Sequence, residues 1–324
     1  MTTHAASDPG GGLVSELGDD CVACGSVQTR GQHKVPEGMF RTGDSFVYRE
    51  CGGCGSLQID TVPADLGSHY DPDRYYSFAG PNRGLRRRWL RHAPARAALR
   101  LNTEVYLRTG AGRGRSWAKR ARIRPAHRIL DIGCGQGENL LLLHLLGYRH
   151  LLGADPFLDA SGEAAPGVPV LKATHKELQG RFDWVMMHHS FEHVADPHAL
   201  LASVQGILAD DGRVLIRMPV AGGWAWRNYG VNWVQLDAPR HLVLYTLDGF
   251  RRIAEERGFL LEDVCYDSGA FQFWGSELVR SGEAHAGGPG DRFTSRQLAA
   301  WAAEALRLNR ALDGDQASFV LRRK

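Results

Sequence analysis

Two sets of residues in this chain of 324 have the types and spacing to do chemistry. Cys21-Val-Ala-Cys24-Gly and Cys51-Gly-Gly-Cys54-Gly are C-x-x-C-G knuckles with 26 residues between Cys24 and Cys51. In each, the glycine permits a turn that aims two thiolates at one ion, and two such turns close a tetrahedral four-thiolate site. Doubled C-x-x-C is rare by chance, so structural zinc at Cys21, Cys24, Cys51 and Cys54 is expected in preference to four cysteines packed as small apolar residues. The second set is Arg128-Ile-Leu-Asp-Ile-Gly-Cys-Gly-Gln-Gly-Glu-Asn139, an apolar run that stops at Asp131 and breaks into alternating glycines before a leucine-rich stretch. It reads as strand, tight turn and helix, with a ligand passing close over the turn. Loops that hold a pyrophosphate carry G-x-G-x-x-G and present bare amides. Here the third glycine comes one position early and Glu138 stands where the last would be. Asp131 and Glu138 would repel phosphate but suit a ligand bearing an ammonium and a sulfonium. Asp155 follows Gly137 by 18 residues, at the end of the next apolar run, where an acid can grip a ribose diol.

Taken in order, Asp131-Ile-Gly-Cys-Gly-Gln-Gly137, Asp155, Phe182-Asp183 and Leu208-Ala-Asp-Asp-Gly-Arg213 resemble the motifs of class I S-adenosylmethionine-dependent methyltransferases. The resemblance spans roughly the last 200 residues and implies S-adenosylmethionine as cofactor. It implies a site of Asp131, Gly133, Cys134, Gly135, Gly137, Asp155, Pro156 and His188. The C-x-x-C ribbon, a Tyr-Tyr linker and the segment Asp237-Ala-Pro-Arg-His241 are similar to methyltransferases of sugar, polysaccharide and natural-product pathways. One departure concerns the third strand. In the family it often ends in an acid that holds the adenine amino group, whereas here it runs into Leu171-Lys-Ala-Thr-His-Lys176.

Methyl transfer from a sulfonium is an in-line displacement, and an oxygen nucleophile also needs a base to take its proton. The candidates are His188, His189, His193 and His241, of which His241 is preferred over His193. It follows a tryptophan-rich loop (Trp224, Trp226, Trp233) on the acceptor's side, and Asp237 is expected to fix its tautomer. Glu192-His193 also reads as a metal-ligating pair, as in ubiquinone-pathway O-methyltransferases, or as a helix-start cap. The tryptophans either cap a small-molecule pocket, the preferred reading, or plug the core.

These residues need a doubly wound frame. Apolar runs at 128–131, 151–155, 168–172, 182–188, 212–218 and 260–267 alternate with helical patterns at 137–146, 197–208 and 246–257. This is an α/β pattern with helices on both faces of a parallel sheet, which the resemblance extends to a Rossmann-like, seven-stranded, mostly parallel sheet. After a helix over 295–312, the run 316–322 is its antiparallel seventh strand. Ser45–Arg49 and Ser56–Asp60 alternate like ribbon strands. The expected organisation is a disordered tail at 1–18, a zinc-ribbon module at 19–62, an aromatic linker and basic helical segment at 63–125 and the methyltransferase domain at 126–324. Tyr70–Phe78 is either a packing segment, which is preferred, or a substrate contact.

With 43% apolar residues the chain can bury a sizeable core, while no apolar run reaches membrane-spanning length. No signal-peptide pattern opens it, so a cytoplasmic enzyme is expected. The net charge of +3 hides an asymmetry: Arg83 to Arg128 holds fourteen arginines and Lys119 against Glu104 alone, a balance of +14 that leaves −11 elsewhere. That segment is either a solvated face or the seat of an anionic partner. The leading expectation is a small-molecule, anionic acceptor methylated on oxygen. An RNA acceptor is the alternative, disfavoured because the ribbon itself is not basic.

Overall fold

A computed structural model describes residues 17–70 and 123–324. The tail, the linker beyond Tyr70 and nearly all of the arginine-rich segment lie outside the described residues.

The described residues form two sheets. Strands β1 (Thr29–Pro36), β2 (Ser45–Cys51) and β3 (Leu57–Ile59) make an antiparallel ribbon. The main sheet contains β4 (Ile129–Ile132), β5 (Leu151–Ala154), β6 (Gly162–Ala165), β7 (Val168–Leu171), β8 (Phe182–His188), β9 (Leu208–Pro219), β11 (Phe259–Tyr266) and β12 (Gln316–Arg323). A two-residue strand, β10 (Val243–Leu244), belongs to the ribbon instead. The main-sheet order is β11-β12-β9-β8-β4-β5-β7-β6. From β9 to β7 the pairing is parallel, and β12 runs antiparallel between β9 and β11 as the resemblance implied. Strand β4 is buried along its whole length, the expected state of a central parallel strand covered on both faces.

The expectation of seven strands is corrected to eight. Gly162-Glu-Ala-Ala165 adds an antiparallel edge strand to β7 through the Pro166-Gly167 turn, where Gly167 sits at φ 77°. Its small residues carry none of the β-branched signal that marks a strand.

Helices α1 (Glu138–Leu145), α2 (Pro197–Ile207), α3 (Trp224–Tyr229), α4 (Leu247–Glu256), α5 (Phe271–Arg280) and α6 (Ser295–Arg310) complete the described elements. Their starts follow from local chemistry. Asp196 accepts from Ala199 N at 2.9 Å with Pro197 in the first helical position, and Thr246 accepts from Gly249 N at 3.0 Å. Thr294 and Gln297 form a capping box.

The ribbon does not close its own sheet. Strand β3 pairs with β10, which lies between β9 and α4 in sequence, and Ile59 N donates to Leu242 O at 2.9 Å. Ribbon side chains Tyr48, Leu57 and Ile59 share one core with Val243, Tyr245 and Phe250. Across this junction lies a buried ion cluster. Arg240, with no exposed surface, donates through Nε to both Asp237 oxygens at 3.1 Å, and through Nη2 to Asp237 and to Glu37 of the ribbon at 2.6 Å each. Its Nη1 donates to His69 O at 3.1 Å, and the Phe40 ring covers the guanidinium. Glu37 in turn accepts from the amides of Met39, Phe40 and Thr42.

Because every member is hydrogen-bonded, removing the cation strands two carboxylates in the interior. Arg240→Met is therefore expected to lower unfolding free energy by about 3–5 kcal/mol, read by urea denaturation. A loss below 1 kcal/mol would mean that water reaches the cluster.

Candidate active site

The glycine loop rises from the carboxyl end of β4. Gly133, at φ 72°, lies so close to the loop after β8 that an added Cβ would stand 2.3 Å from Ser190 Cβ. Ser190 Oγ itself donates to Ile132 O at 2.9 Å. Gly137, at φ 80°, opens α1, and a Cβ there would meet Ala164 at 2.6 Å. Most loop amides are occupied within the protein. Gly133 and Cys134 donate to Ala154 O, Gly135 donates to Asp155 Oδ2 at 2.9 Å, and Gly137 donates to Cys134 O. Such a loop offers close backbone approach more than a nest of free donors, and this argues against pyrophosphate. Cys134 packs its sulfur beneath the loop against Gly153, whose added Cβ would stand 2.6 Å from Sγ.

Two acids stand close together on this face with no basic side chain among the described residues to compensate them. Both carboxylate oxygens of Asp131 are buried, and Asn139 is the neighbour that leans towards them. Burial, then the neighbouring Asp155, raise its pKa to about 8, with Asn139 leaning the other way. Asp155 accepts from Phe157 N with its second oxygen, at 2.9 Å, and burial raises it as well. A cationic ligand would remove the cost of these paired acids, so the residues fit a ligand with an ammonium. Pro156 is exposed, and Phe157 beyond it is 61% exposed although large and apolar. Phe157 stacks on Tyr70, with ring centroids 5.7 Å apart.

Tyr70 leads to the histidines. Its hydroxyl is 3.0 Å from His193 Nδ1, which also lies 2.8 Å from Arg240 O. A carbonyl oxygen only accepts, so His193 Nδ1 carries the proton and Nε2 the lone pair. The same logic applies to His241, whose Nδ1 donates to Gln235 O at 2.7 Å. The two rings meet edge to face, 4.7 Å between centroids. Below them sits Glu192, in a 3-10 turn over Phe191–His193. Arg217 Nη1 donates to His189 Nε2 at 2.7 Å, which leaves His189 Nδ1 to donate to Glu192 Oε1 at 3.3 Å. Burial works to raise the Glu192 carboxyl, but His189 and the other imidazoles hold it down at about 2. Burial first, and His241 second, push His193 down to about 4, so its imidazole is neutral at physiological pH. His188 ends β8 half-buried, opposite Arg217 in register.

Beyond His241 opens a cavity of about 200 Å³. Met39 of the ribbon, Gln235, Asp237, Phe271 and Trp274 of α5, and His285 line it. Two expectations are corrected here. Asp237 does not fix the His241 tautomer: Arg240 takes both of its oxygens, leaving 3.8 Å to His241 Nε2, and the Gln235 carbonyl does the fixing. Arg240 also holds the Asp237 carboxyl well below the usual range against the opposing effect of burial. Nor does the tryptophan loop line this cavity. Trp233 plugs the core, 1% exposed, with its indole N–H donating to Asp315 at 3.1 Å. Trp226 packs edge-on against His33 of the ribbon, and the cavity's tryptophan is Trp274. Helix α5 and strand β1 were not anticipated from the sequence.

The four ribbon cysteines converge. Cys21 Sγ lies 3.7 Å from Cys54 Sγ, and Cys24 Sγ lies 3.6 Å from Cys51 Sγ. A tetrahedral ion with sulfur ligands at about 2.3 Å spaces them about 3.8 Å apart, so the set fits zinc. The Cys21 thiol, and after it Ser56, draw the Cys54 pKa down to about 5 against burial. Thr246, the cap of α4, donates its hydroxyl to Cys54 O at 2.8 Å and seats the knuckle on the larger domain. Two of the ribbon's three arginines are neutralised locally, Arg30 by Glu50 and Arg49 by Asp60, and Arg41 donates to the Gly282 carbonyl.

A methyltransferase-domain family matches residues 85–264. Among curated proteins, none matches the chain in sequence. Solved structures with a similar arrangement include a possible histamine N-methyltransferase from Thermotoga maritima, at 18% identity and TM-score 0.42, covering 68% of this chain and 94% of that one. A cyclopropane synthase from Mycobacterium tuberculosis aligns over 61% of this chain and 79% of its own, with 18% identity and TM-score 0.40. The O-methyltransferase of a trans-AT polyketide synthase from Brevibacillus brevis, solved with S-adenosylhomocysteine, aligns at 13% identity and TM-score 0.39 over 61% and 67% of the two chains.

Asp131 yields a test in the ligand-free protein. Its folded pKa is raised to about 8, so its stability contribution is fully present below the ordinary carboxylate range and is lost as pH rises towards 8. Asp131→Asn is expected to remove that loss, so its urea midpoint should exceed wild type by a margin that grows between pH 5 and pH 9. Parallel midpoints across that range would contradict the burial argument.

Proposed function

The chain belongs to the methyltransferase-domain family and is an S-adenosylmethionine-dependent methyltransferase, and we propose that it methylates an oxygen of a small-molecule acceptor held in the cavity beside His241. S-adenosylmethionine supplies an electrophilic methyl group on a sulfonium. Asp131 would hold the cofactor's ammonium and Asp155 its ribose diol. The Gly133–Gly137 backbone would pass beneath it, with Pro156 and His188 at the rim. The observation that carries the acceptor reading is the imidazole of His241. It is anchored through Nδ1 by the Gln235 carbonyl, keeps Nε2 as the acceptor of a proton, and forms part of the cavity wall. His241 is the residue through which the acceptor loses its proton as the methyl–oxygen bond forms, and His193 stands edge-on behind it.

The arginine-rich segment from Arg83 to Arg128 supports an anionic acceptor, such as a nucleotide-linked sugar or a carrier-bound intermediate. Phosphate-backbone binding by the ribbon has less support, because Arg30 and Arg49 are paired with acids. For the ribbon we infer zinc at Cys21, Cys24, Cys51 and Cys54, from the tetrahedral sulfur spacing.

His241→Ala should lower kcat by about 10²–10⁴-fold while cofactor affinity is kept, and the deficit should shrink at high pH, where the acceptor ionises unaided. Near-normal kcat, with His193→Ala inactive, would move the role to His193. For the metal, elemental analysis of the Cys51→Ser, Cys54→Ser double variant should show one zinc fewer than wild type. Equal zinc in both proteins would sink the assignment.

A further inference from the structure

Glu192, His193 and His241 bring one donor atom each to within 4.8 Å of one another. Glu192 and His193 come from the turn after β8, and His241 from the loop before β10. Each imidazole spends its Nδ1 proton on a backbone carbonyl, Arg240 O for His193 and Gln235 O for His241. Each therefore keeps Nε2 as a bare lone pair. The His241 Nε2 faces Glu192 Oε1 at 3.8 Å, too far for a hydrogen bond. Glu192 has no exposed surface; its Oε1 is oriented by His189, and its Oε2 is buried with no partner. Lone pairs and a carboxylate converging on one point repel unless a cation lies between them. A ring nitrogen whose partner N–H is fixed by a carbonyl is also the usual second shell of a metal-bound histidine.

We propose that Glu192, His193 and His241 bind a divalent first-row transition-metal ion at the wall of the acceptor cavity. Two imidazoles and one carboxylate suit ions of the zinc, iron or cobalt type better than calcium or magnesium, and three protein ligands leave coordination positions open. Ligands about 2.1 Å from a tetrahedral ion stand about 3.4 Å apart, so the set closes by a few tenths of an ångström at its 3.8 Å edge and by more at its widest. The inference rests on the methyl-transfer reading and revises its proton step: with Nε2 of His241 spent on the ion, His241 acts as a ligand and not as the base, and an acceptor oxygen beside the ion, its pKa lowered, gives its proton to water.

The test uses cobalt as probe on the full chain with the ribbon cysteines first loaded with zinc. One equivalent of Co²⁺ should bind beyond the zinc, giving weak ligand-field absorption without thiolate-to-cobalt charge transfer. Loss of an outer-shell partner costs 10–100-fold in metal affinity, so the ligand variants Glu192→Gln and His193→Ala should each weaken uptake by at least about 100-fold. Glu192→Gln keeps the shape of the side chain, and retained cofactor binding certifies its fold. No uptake beyond the ribbon, or uptake unchanged in folded Glu192→Gln, overturns the proposal; in the latter case the ion sits elsewhere. Cobalt binding is read without acceptor or turnover. A kinetic failure of the His241 role is therefore distinguishable from failure of the metal site.

Discussion

The buried ion cluster of Arg240 with Glu37 and Asp237 is the constraint on which the rest of the site depends. Three charges are removed from water there, and they are tolerated because each is fully hydrogen-bonded. The side chain of Arg240 ties the ribbon to the loop before β10, while its carbonyl takes the Nδ1 proton of His193. The next carbonyl, that of His241, accepts from the buried Tyr48 hydroxyl at 2.7 Å, and the amide of Leu242 donates to Glu192 O. Three successive residues thus fix the two imidazoles and the carboxylate to one frame. The ribbon holds the loop before β10 in register.

The two sides of the site treat charge in opposite ways. On the glycine-loop side, Asp131 is buried beside Asp155, which spends its oxygens on backbone amides, so a cationic ligand would relieve the cost of burying two neighbouring acids. On the cavity side Asp237 is saturated by Arg240 and offers an incoming group little. Binding on the first side is favoured by what is missing, and geometry on the second is secured by what is complete.

Much of this was legible in the residues. The strands of the parallel core are short apolar runs ending at acids or histidines, and the capped helices carry Asp196, Thr246 and Thr294 where caps belong. The cysteine knuckles and the glycine loop are read from spacing alone. Helix α5 escaped because Phe271-Gln-Phe-Trp-Gly is aromatic and begins without a side-chain cap, and α3 because a six-residue helix has little periodicity to detect. Strand β1 mixes Thr29, Arg30, His33 and Lys34 on an exposed ribbon edge, where no buried face enforces alternation. The Asp237–Arg240 pairing is an i, i+3 spacing open to reading, but its third member lies 203 residues away in sequence. Competition for Asp237 is therefore invisible in the sequence, where Asp237 stands as the nearest partner for the His241 imidazole.

The shared sheet bears on the order in which the protein is made. Strand β3 pairs Gln58 with Val243 and Leu57 with Leu244, so the ribbon's last edge is open until about 185 further residues have left the ribosome. At a synthesis rate of about 5–20 residues per second that interval is about ten to forty seconds. Throughout it, Leu57 and Ile59, fully buried at the end, belong to an unpaired strand edge of the kind that seeks foreign partners. The thiolate knuckles can hold the nascent ribbon's turns during the wait, with or without the chain that completes them. The N-terminal module is therefore better regarded as half of an interrupted unit than as an appended one, and it would be a poor candidate for transplantation onto another enzyme.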